Sequence, residues 1–223
     1  MSATSTYRPA VRQHRSLVAE AEKRLLVAIA MRLPAWLNSD HLTAIGFIAM
    51  LGIGACFWAG TTSTLLLILP LLALNWFGDS LDGTLARVRR QERPRYGYYV
   101  DHVLDTIGVA ALIAGLILGH FMTAWIGLAF LSAYYALMIE IALAAHSRST
   151  FQMAFWHIGP TELRILLAAG VLQLVRSPDV VLMSSRLLLF DVGAAIGIGA
   201  LALTLVASAW RNGRALYWEE TRR

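Results

Sequence analysis

The stretch Asp79-Ser80-Leu81-Asp82-Gly83-Thr84-Leu85-Ala86-Arg87 is followed, after nine intervening residues, by Gly97-Tyr98-Tyr99-Val100-Asp101-His102-Val103-Leu104-Asp105. The apolar run Ser63–Gly78 leads into its first half, and its second half opens the apolar run Tyr98–Gly119. A charged aspartate at the centre of a helix in lipid costs about 2.5–3.5 kcal/mol. Four carboxylates in this setting therefore need a reason. Asp79 and Asp82 are spaced i,i+3 and Asp101 and Asp105 i,i+4, so each pair falls on one face of a helix. Two successive spans run antiparallel, which puts both pairs at one depth. At low dielectric four facing carboxylates repel strongly. Either several are protonated or cations hold them together, and hard divalent cations suit oxygen donors with no histidine–cysteine set nearby. Helix capping at an interface explains any one of these acids, but explains two facing pairs poorly.

The residues between the acids point the same way. Gly83 and Ala86 lie four and seven positions after Asp79 and share its face. A glycine inside a helix costs about 1 kcal/mol relative to alanine, and in return lets a flat or bulky group approach the backbone. Gly97, one turn before Asp101, clears space in the same way. Arg87 brings a guanidinium that can fork onto phosphate oxygens. Together these residues suggest a nucleoside diphosphate bound through metal.

Outward from this stretch the chain reads as a membrane protein. Of 223 residues, 57% are hydrophobic and 15% charged, against about 45–50% and about 25% in soluble domains. Neither a soluble enzyme nor a disordered chain fits that balance. One cysteine, Cys56, excludes an intrachain disulfide framework and a cysteine-based zinc cluster. A spanning helix needs about 20 apolar residues, and six runs qualify: Leu42–Gly60, Ser63–Gly78, Tyr98–Gly119, Phe121–Ala144, Thr161–Val175 and Leu187–Trp210. The net charge is +5, and every basic residue but Lys23 is arginine.

Those charges sort by side. Arg8, Arg12, Arg15, Lys23, Arg24 and Arg32 precede the first span, and Arg87, Arg89, Arg90, Arg93 and Arg95 lie between the second and third. Arg148 follows the fourth, and Arg211, Arg214, Arg222 and Arg223 follow the sixth; only Arg176 and Arg186 fall opposite. The positive-inside rule makes both termini cytoplasmic. Beyond Arg87, the arginines of the second loop are expected to set topology and touch anionic lipid. Trp58 and Trp125 at outer ends, and Trp36, Trp156 and Trp210 at inner ones, suit interfacial anchoring. Leu17–Leu33 alternates charge and apolar residues before Pro34, as an amphipathic helix on the inner surface does. Glu20, Glu22, Lys23 and Arg24 interrupt it too heavily for a signal peptide. With no internal repeat or linker, residues 1–223 form one membrane domain: a surface helix, a bundle over about 42–210 and a tail at 211–223.

The pattern D-x2-D-G-x2-A-R-x9-G-x3-D-x3-D, intact at all eight fixed positions from Asp79 to Asp105, resembles the signature of the CDP-alcohol phosphotransferases (CDP-alcohol phosphatidyltransferases). The resemblance implies an all-α integral membrane enzyme of six spans with a leading amphipathic helix, embedded in the cell's inner membrane with its active site cytoplasmic. It implies displacement of CMP from a CDP-linked donor by an alcohol. Asp79, Asp82, Asp101 and Asp105 would hold a pair of magnesium or manganese ions, with Asp105 also the general base. Gly83, Ala86, Arg87 and Gly97 would contact the nucleotide. Thr43 matches a family threonine, although Asp40 stands where the family favours asparagine. CDP-diacylglycerol as donor, a small alcohol as acceptor, membrane lipids and a homodimer are the expected partners; nucleic acid is not.

The acceptor side is open. Arg164, in Pro160-Thr-Glu162-Leu-Arg164, either grips an anionic acceptor or a lipid phosphate, or is a snorkelling arginine paired with Glu162 or Glu140. His102 reads as an interfacial residue with local partners, His146 and His157 as loop residues, and Asp191 as a cap. The Asp101-His102 pair leaves room for a CDP-choline- or CDP-ethanolamine-type transfer to diacylglycerol. An aspartate-rich prenyltransferase would need two acid motifs far apart, and a divalent-cation transporter leaves Gly83, Ala86 and Arg87 unexplained.

Overall fold

The structure is a computed structural model that describes residues 19–148, 160–182 and 185–221. Arg8, Arg12, Arg15, Trp156, His157, Arg222 and Arg223 lie outside the described residues, as does the start of the Leu17–Leu33 run. Among the described residues seven helices follow in order: α1 (Ala19–Ala30), α2 (Ser39–Ala59), α3 (Thr62–Val88), α4 (Pro94–Leu118), α5 (Ala124–Arg148), α6 (Pro160–Arg176) and α7 (Leu189–Thr221). An antiparallel hairpin, β1 (Asp179–Leu182) and β2 (Ser185–Leu188), joins α6 to α7, with Asp179 opposite Leu188 and Val181 opposite Arg186.

Capping residues set the first hairpin of helices. The Asn38 side chain accepts from the His41 backbone N–H at 2.9 Å, and the His41 ring returns a bond to the Asn38 N–H. Thr61 and Thr64 make the same reciprocal arrangement at the start of α3. Such boxes satisfy orphan N–H groups of a first turn. The two helices then cross with backbones in contact: a Cβ added at Gly78 would lie 2.5 Å from Gly46 N and from Leu42 O. α2 meets α4 in the same manner, where a Cβ at Gly115 would lie 2.1 Å from Gly54 O. Small residues let helix backbones approach where bulkier ones hold them apart.

α2 is thus the centre, flanked by α3 and α4; α5 packs on α4, α7 on α5, and α6 and α1 on α3. One apolar cluster gathers Ile53, Phe57, Ile68, Leu116 and Val171 toward the end that carries the hairpin. A second, of Leu26, Ala30, Leu37, Leu42, Leu81 and Leu85, lies under the opposite end, where the aspartate motif is.

Five of these helices, α2 to α5 and α7, are long and apolar enough to cross a membrane. α6 matches the predicted fifth span in position. At 17 residues, with Glu162, Arg164 and Arg176 within it, it falls short of the others. The sixth predicted span is corrected at both ends. Leu187 and Leu188 pair in β2, so α7 begins at Leu189. It then runs 33 residues, turning residues 211–221 of the predicted tail into helix. No proline interrupts it, and Asn212 is anchored to Glu140 of α5 at 2.8 Å. α3 likewise continues ten residues past Gly78, carrying Asp79 to Arg87 as helix. His146 lies in the last turn of α5 instead of a loop. Trp36, Trp58, Trp125 and Trp210 are all strongly exposed; Trp58 and Trp125 stand at helix ends, whereas Trp36 lies in the turn before α2 and Trp210 lies within α7, which runs on to Thr221.

Candidate active site

Asp79 and Asp82 lie near the C-terminal end of α3, and Asp101 and Asp105 near the N-terminal end of α4. Asp82 is buried at 8% exposure, while Asp79, Asp101 and Asp105 are exposed. Asp82 is also the most tightly held. Its Oδ2 accepts from Thr43 Oγ1 at 2.7 Å and its Oδ1 from the Gly83 N–H, while Ser39 Oγ donates to its carbonyl at 2.9 Å. Asp79 from its own helix and Asp101 from the next both act on its charge. The charge of Asp105 acts on Tyr134 of α5, and Tyr135 donates to the Thr106 carbonyl at 3.0 Å, fastening that stretch of α4.

Arg164 pairs with Asp79 in place of Glu162 or Glu140. Its Nη2 donates to Asp79 Oδ2 at 2.5 Å and its Nε to Asn75 Oδ1 at 2.7 Å. Asn75 in turn donates to the Gly46 carbonyl at 2.9 Å, locking this corner to the α2–α3 crossing. Arg164 Nη1 is buried and has no hydrogen-bond partner among the described residues. A buried unpaired donor on a charged group is costly, so a ligand acceptor is favoured there.

The nucleotide candidates lie on the same side. Nothing stands within 4 Å of a Cβ added at Gly97, and one added at Gly83 would meet only the Arg87 guanidinium at 3.6 Å. Arg87 is exposed and donates to Thr84 at 3.1 Å. Ala86 lines an open cleft of about 430 Å³ with Asn38, Ser39, Asp40, Leu85, Gln91, Glu92 and Arg93. At its rim Arg93 pairs with Asp40 and lies over the Tyr96 ring, 4.4 Å from its centroid. The hydrogen bond to Asp40 holds the Arg93 guanidinium above its ordinary pKa. Arg89 donates to the carbonyls of Leu33, Pro34 and Leu37, closing the turn after α1. Both arginines are thus hydrogen-bonded within the protein, Arg89 to backbone carbonyls and Arg93 to an acid. His102 bonds the Tyr98 carbonyl at 2.8 Å and packs on its ring, as a locally paired residue does.

The acids fit a hard divalent cation in chemistry, offering only carboxylate oxygens, from α3 and α4 on either side of α2. Among the described residues no three such side chains are gathered closely enough to hold one ion. Asp79 is drawn to Arg164 and Asp82 to Thr43, each an alternative partner for the same oxygens. Sequence reasoning missed Asn75, Ser39 and Glu22. Asn75 was detectable as a polar residue one turn before Asp79 in an apolar run. Ser39 and Glu22 act across tertiary contacts that no spacing reveals.

Residues 36–206 match the family described as CDP-alcohol phosphatidyltransferase. The chain belongs to that family. It is also 29% identical, over 150 residues, to the archaetidylinositol phosphate synthase of Methanothermobacter thermautotrophicus, an alignment covering 67% of this chain and 73% of that one. This member is accordingly an integral membrane transferase of phospholipid synthesis that uses a CDP-linked donor.

Proposed function

We propose that this chain transfers a phosphatidyl group from CDP-diacylglycerol to a small anionic polyol, with an inositol phosphate as the first candidate, and releases CMP. The observation that carries the proposal is the buried Asp82, held by the Thr43 hydroxyl of α2 at 2.7 Å one turn after Asp79, beside the open floor at Gly83. The buried free Nη1 of Arg164, one side chain away from Asp79, supports an acceptor bearing phosphate. The relative's product, by its name, carries such a phosphate.

Asp79, Asp82, Asp101 and Asp105 would hold magnesium or manganese, a pair of which neutralises pyrophosphate charge when bound. Thr43 orients Asp82 through its hydroxyl and reaches the nucleotide from the same corner. Gly83, Ala86 and Gly97 give the cytidine a flat approach, and Arg87 forks onto the diphosphate. Arg164 presents the acceptor. Asp105 takes the proton from the acceptor hydroxyl as its oxygen bonds to the lipid-bearing phosphorus. The bond from that phosphorus to the CMP oxygen breaks, and CMP leaves with the electron pair.

In this reading α6 completes a six-span bundle, α1 lies on the cytoplasmic face, and both termini and the site face the cytoplasm of the cell membrane. Residues 1–223 act as one domain, and the apolar outer faces leave room for a homodimer. Purified protein with magnesium or manganese, labelled CDP-diacylglycerol and a panel of alcohols should release CMP, most rapidly with an inositol phosphate. No release with any acceptor, or full release in an Asp105→Asn variant, contradicts the assignment.

A further inference from the structure

The side chain of Glu22 ties three helices together. Its Oε1 accepts from Trp76 Nε1 of α3 at 2.8 Å and from Thr161 Oγ1 of α6 at 2.9 Å. Trp76 follows Asn75 and comes three residues before Asp79; Thr161 comes three residues before Arg164. One oxygen on α1 therefore joins the two helices one turn or less from the place where Arg164 meets Asn75 and Asp79. α1 is itself seated by Leu26 and Ala30, which are buried against Leu81 and Leu85 of α3. Glu22 is half-buried, so these two bonds are poorly replaced by water.

We propose that Glu22 is a positioning residue for the reaction proposed above: it fixes the α3–α6 crossing and thereby holds Arg164 where an anionic acceptor is gripped. It touches no substrate itself. Both of its partners are donors, so an amide oxygen can replace the carboxylate oxygen while a hydrocarbon cannot. This makes Glu22→Gln a faithful substitute and Glu22→Leu a disruptive one.

The test uses the full chain in lipid nanodiscs, with Cys56→Ala as background. Nitroxide labels at Leu74→Cys on α3 and Ile165→Cys on α6, both exposed sites, report the crossing by dipolar broadening, whether or not the protein turns over. Glu22→Leu, and Thr161→Val as a milder second variant, should change the broadening; Glu22→Gln should leave it as in the parent. In unlabelled protein the KM for inositol phosphate should rise roughly tenfold in Glu22→Leu, because displaced positioning groups lose alignment. The KM for CDP-diacylglycerol should hold, and Glu22→Gln should restore the acceptor KM. Unchanged broadening in both disruptive variants overturns the inference. So does a changed crossing with donor and acceptor KM raised alike, or a Glu22→Gln variant as impaired as Glu22→Leu. If the parent protein releases no CMP, the transfer assignment fails, and the broadening still decides whether Glu22 sets the crossing.

Discussion

The two ends of this bundle each use aspartate, and to opposite effect. At the hairpin end both oxygens of Asp191 are matched by local donors: one accepts from the Thr123 N–H at 2.7 Å and the other from Thr123 Oγ1 at 2.5 Å. It caps the start of α5 from a neighbouring helix, where the sequence suggested a cap on its own. Beneath it Phe57 packs edge-to-face on Phe121 and Phe190, with ring centroids 6.2 and 5.5 Å apart. At the motif end four aspartates share two helices, three of them exposed, beside an open cleft and a buried guanidinium with a spare donor. An acid whose oxygens are matched by local donors is structure. Acids placed at the facing ends of two helices with no such matched set of local donors are the kind a bound cation or proton would stabilise, and that is what the proposed site requires.

The same chemical change should therefore separate the ends. Asp105→Asn should lower kcat by about 10²–10⁴-fold, the usual contribution of a positioned base, with the unfolding midpoint within a degree or two of the parent. A loss of folding matching the loss of activity would return Asp105 to a structural role. Arg164→Gln comes next. Losing a charge-assisted contact of about 1.5–3 kcal/mol should raise the KM for an inositol phosphate roughly 10–100-fold, since each 1.4 kcal/mol is a factor of ten. The KM for CDP-diacylglycerol should stay within twofold; an equal rise in both would detach Arg164 from the acceptor.

Much of the motif end was legible because its signal is local. Asp79, Asp82, Gly83 and Ala86 share a face of α3 and Asp101 and Asp105 a face of α4 by spacing alone, and the apolar runs around them name the spans. What escaped depends on contacts between helices. That Arg164 turns to Asp79 follows from the α3–α6 crossing, which no periodicity encodes. That Thr43 holds Asp82 follows from the Gly46–Gly78 approach of α2 and α3. At the hairpin end the strands were invisible for another reason: Asp179–Leu188 is short, and Leu187–Leu188 continues into an apolar run that reads as helix until the pairing is seen.

The crossings that carry this long-range information can be broken directly. Gly78→Ala and Gly115→Ala each drive a methyl into backbone at 2.5 and 2.1 Å, and overpacking of this kind costs about 1–3 kcal/mol. Both should lower the unfolding midpoint in detergent. The comparison predicts a further difference: Gly78→Ala, one residue from Asp79, should also reduce kcat, whereas Gly115→Ala, at the hairpin end, should leave turnover of the folded fraction intact. Equal kinetic damage from both would mean that the two ends are mechanically one unit.

The smallest effect belongs to Asp191. Removing the cap in Asp191→Ala should cost about 1 kcal/mol, as losses of N-terminal caps do, seen as a lower unfolding midpoint with kcat and both KM values unchanged. Asp191→Asn distinguishes the two components of the cap. Its amide oxygen still accepts from the Thr123 N–H, but the negative charge at the positive end of the α5 dipole is gone, a part worth about 0.3–1 kcal/mol that salt screens. The asparagine variant should thus fall between parent and alanine at low salt and approach the parent as salt rises. An asparagine as damaging as alanine at every salt concentration would mean that the hydroxyl bond to Thr123, and not the charge or the backbone bond, holds this end closed.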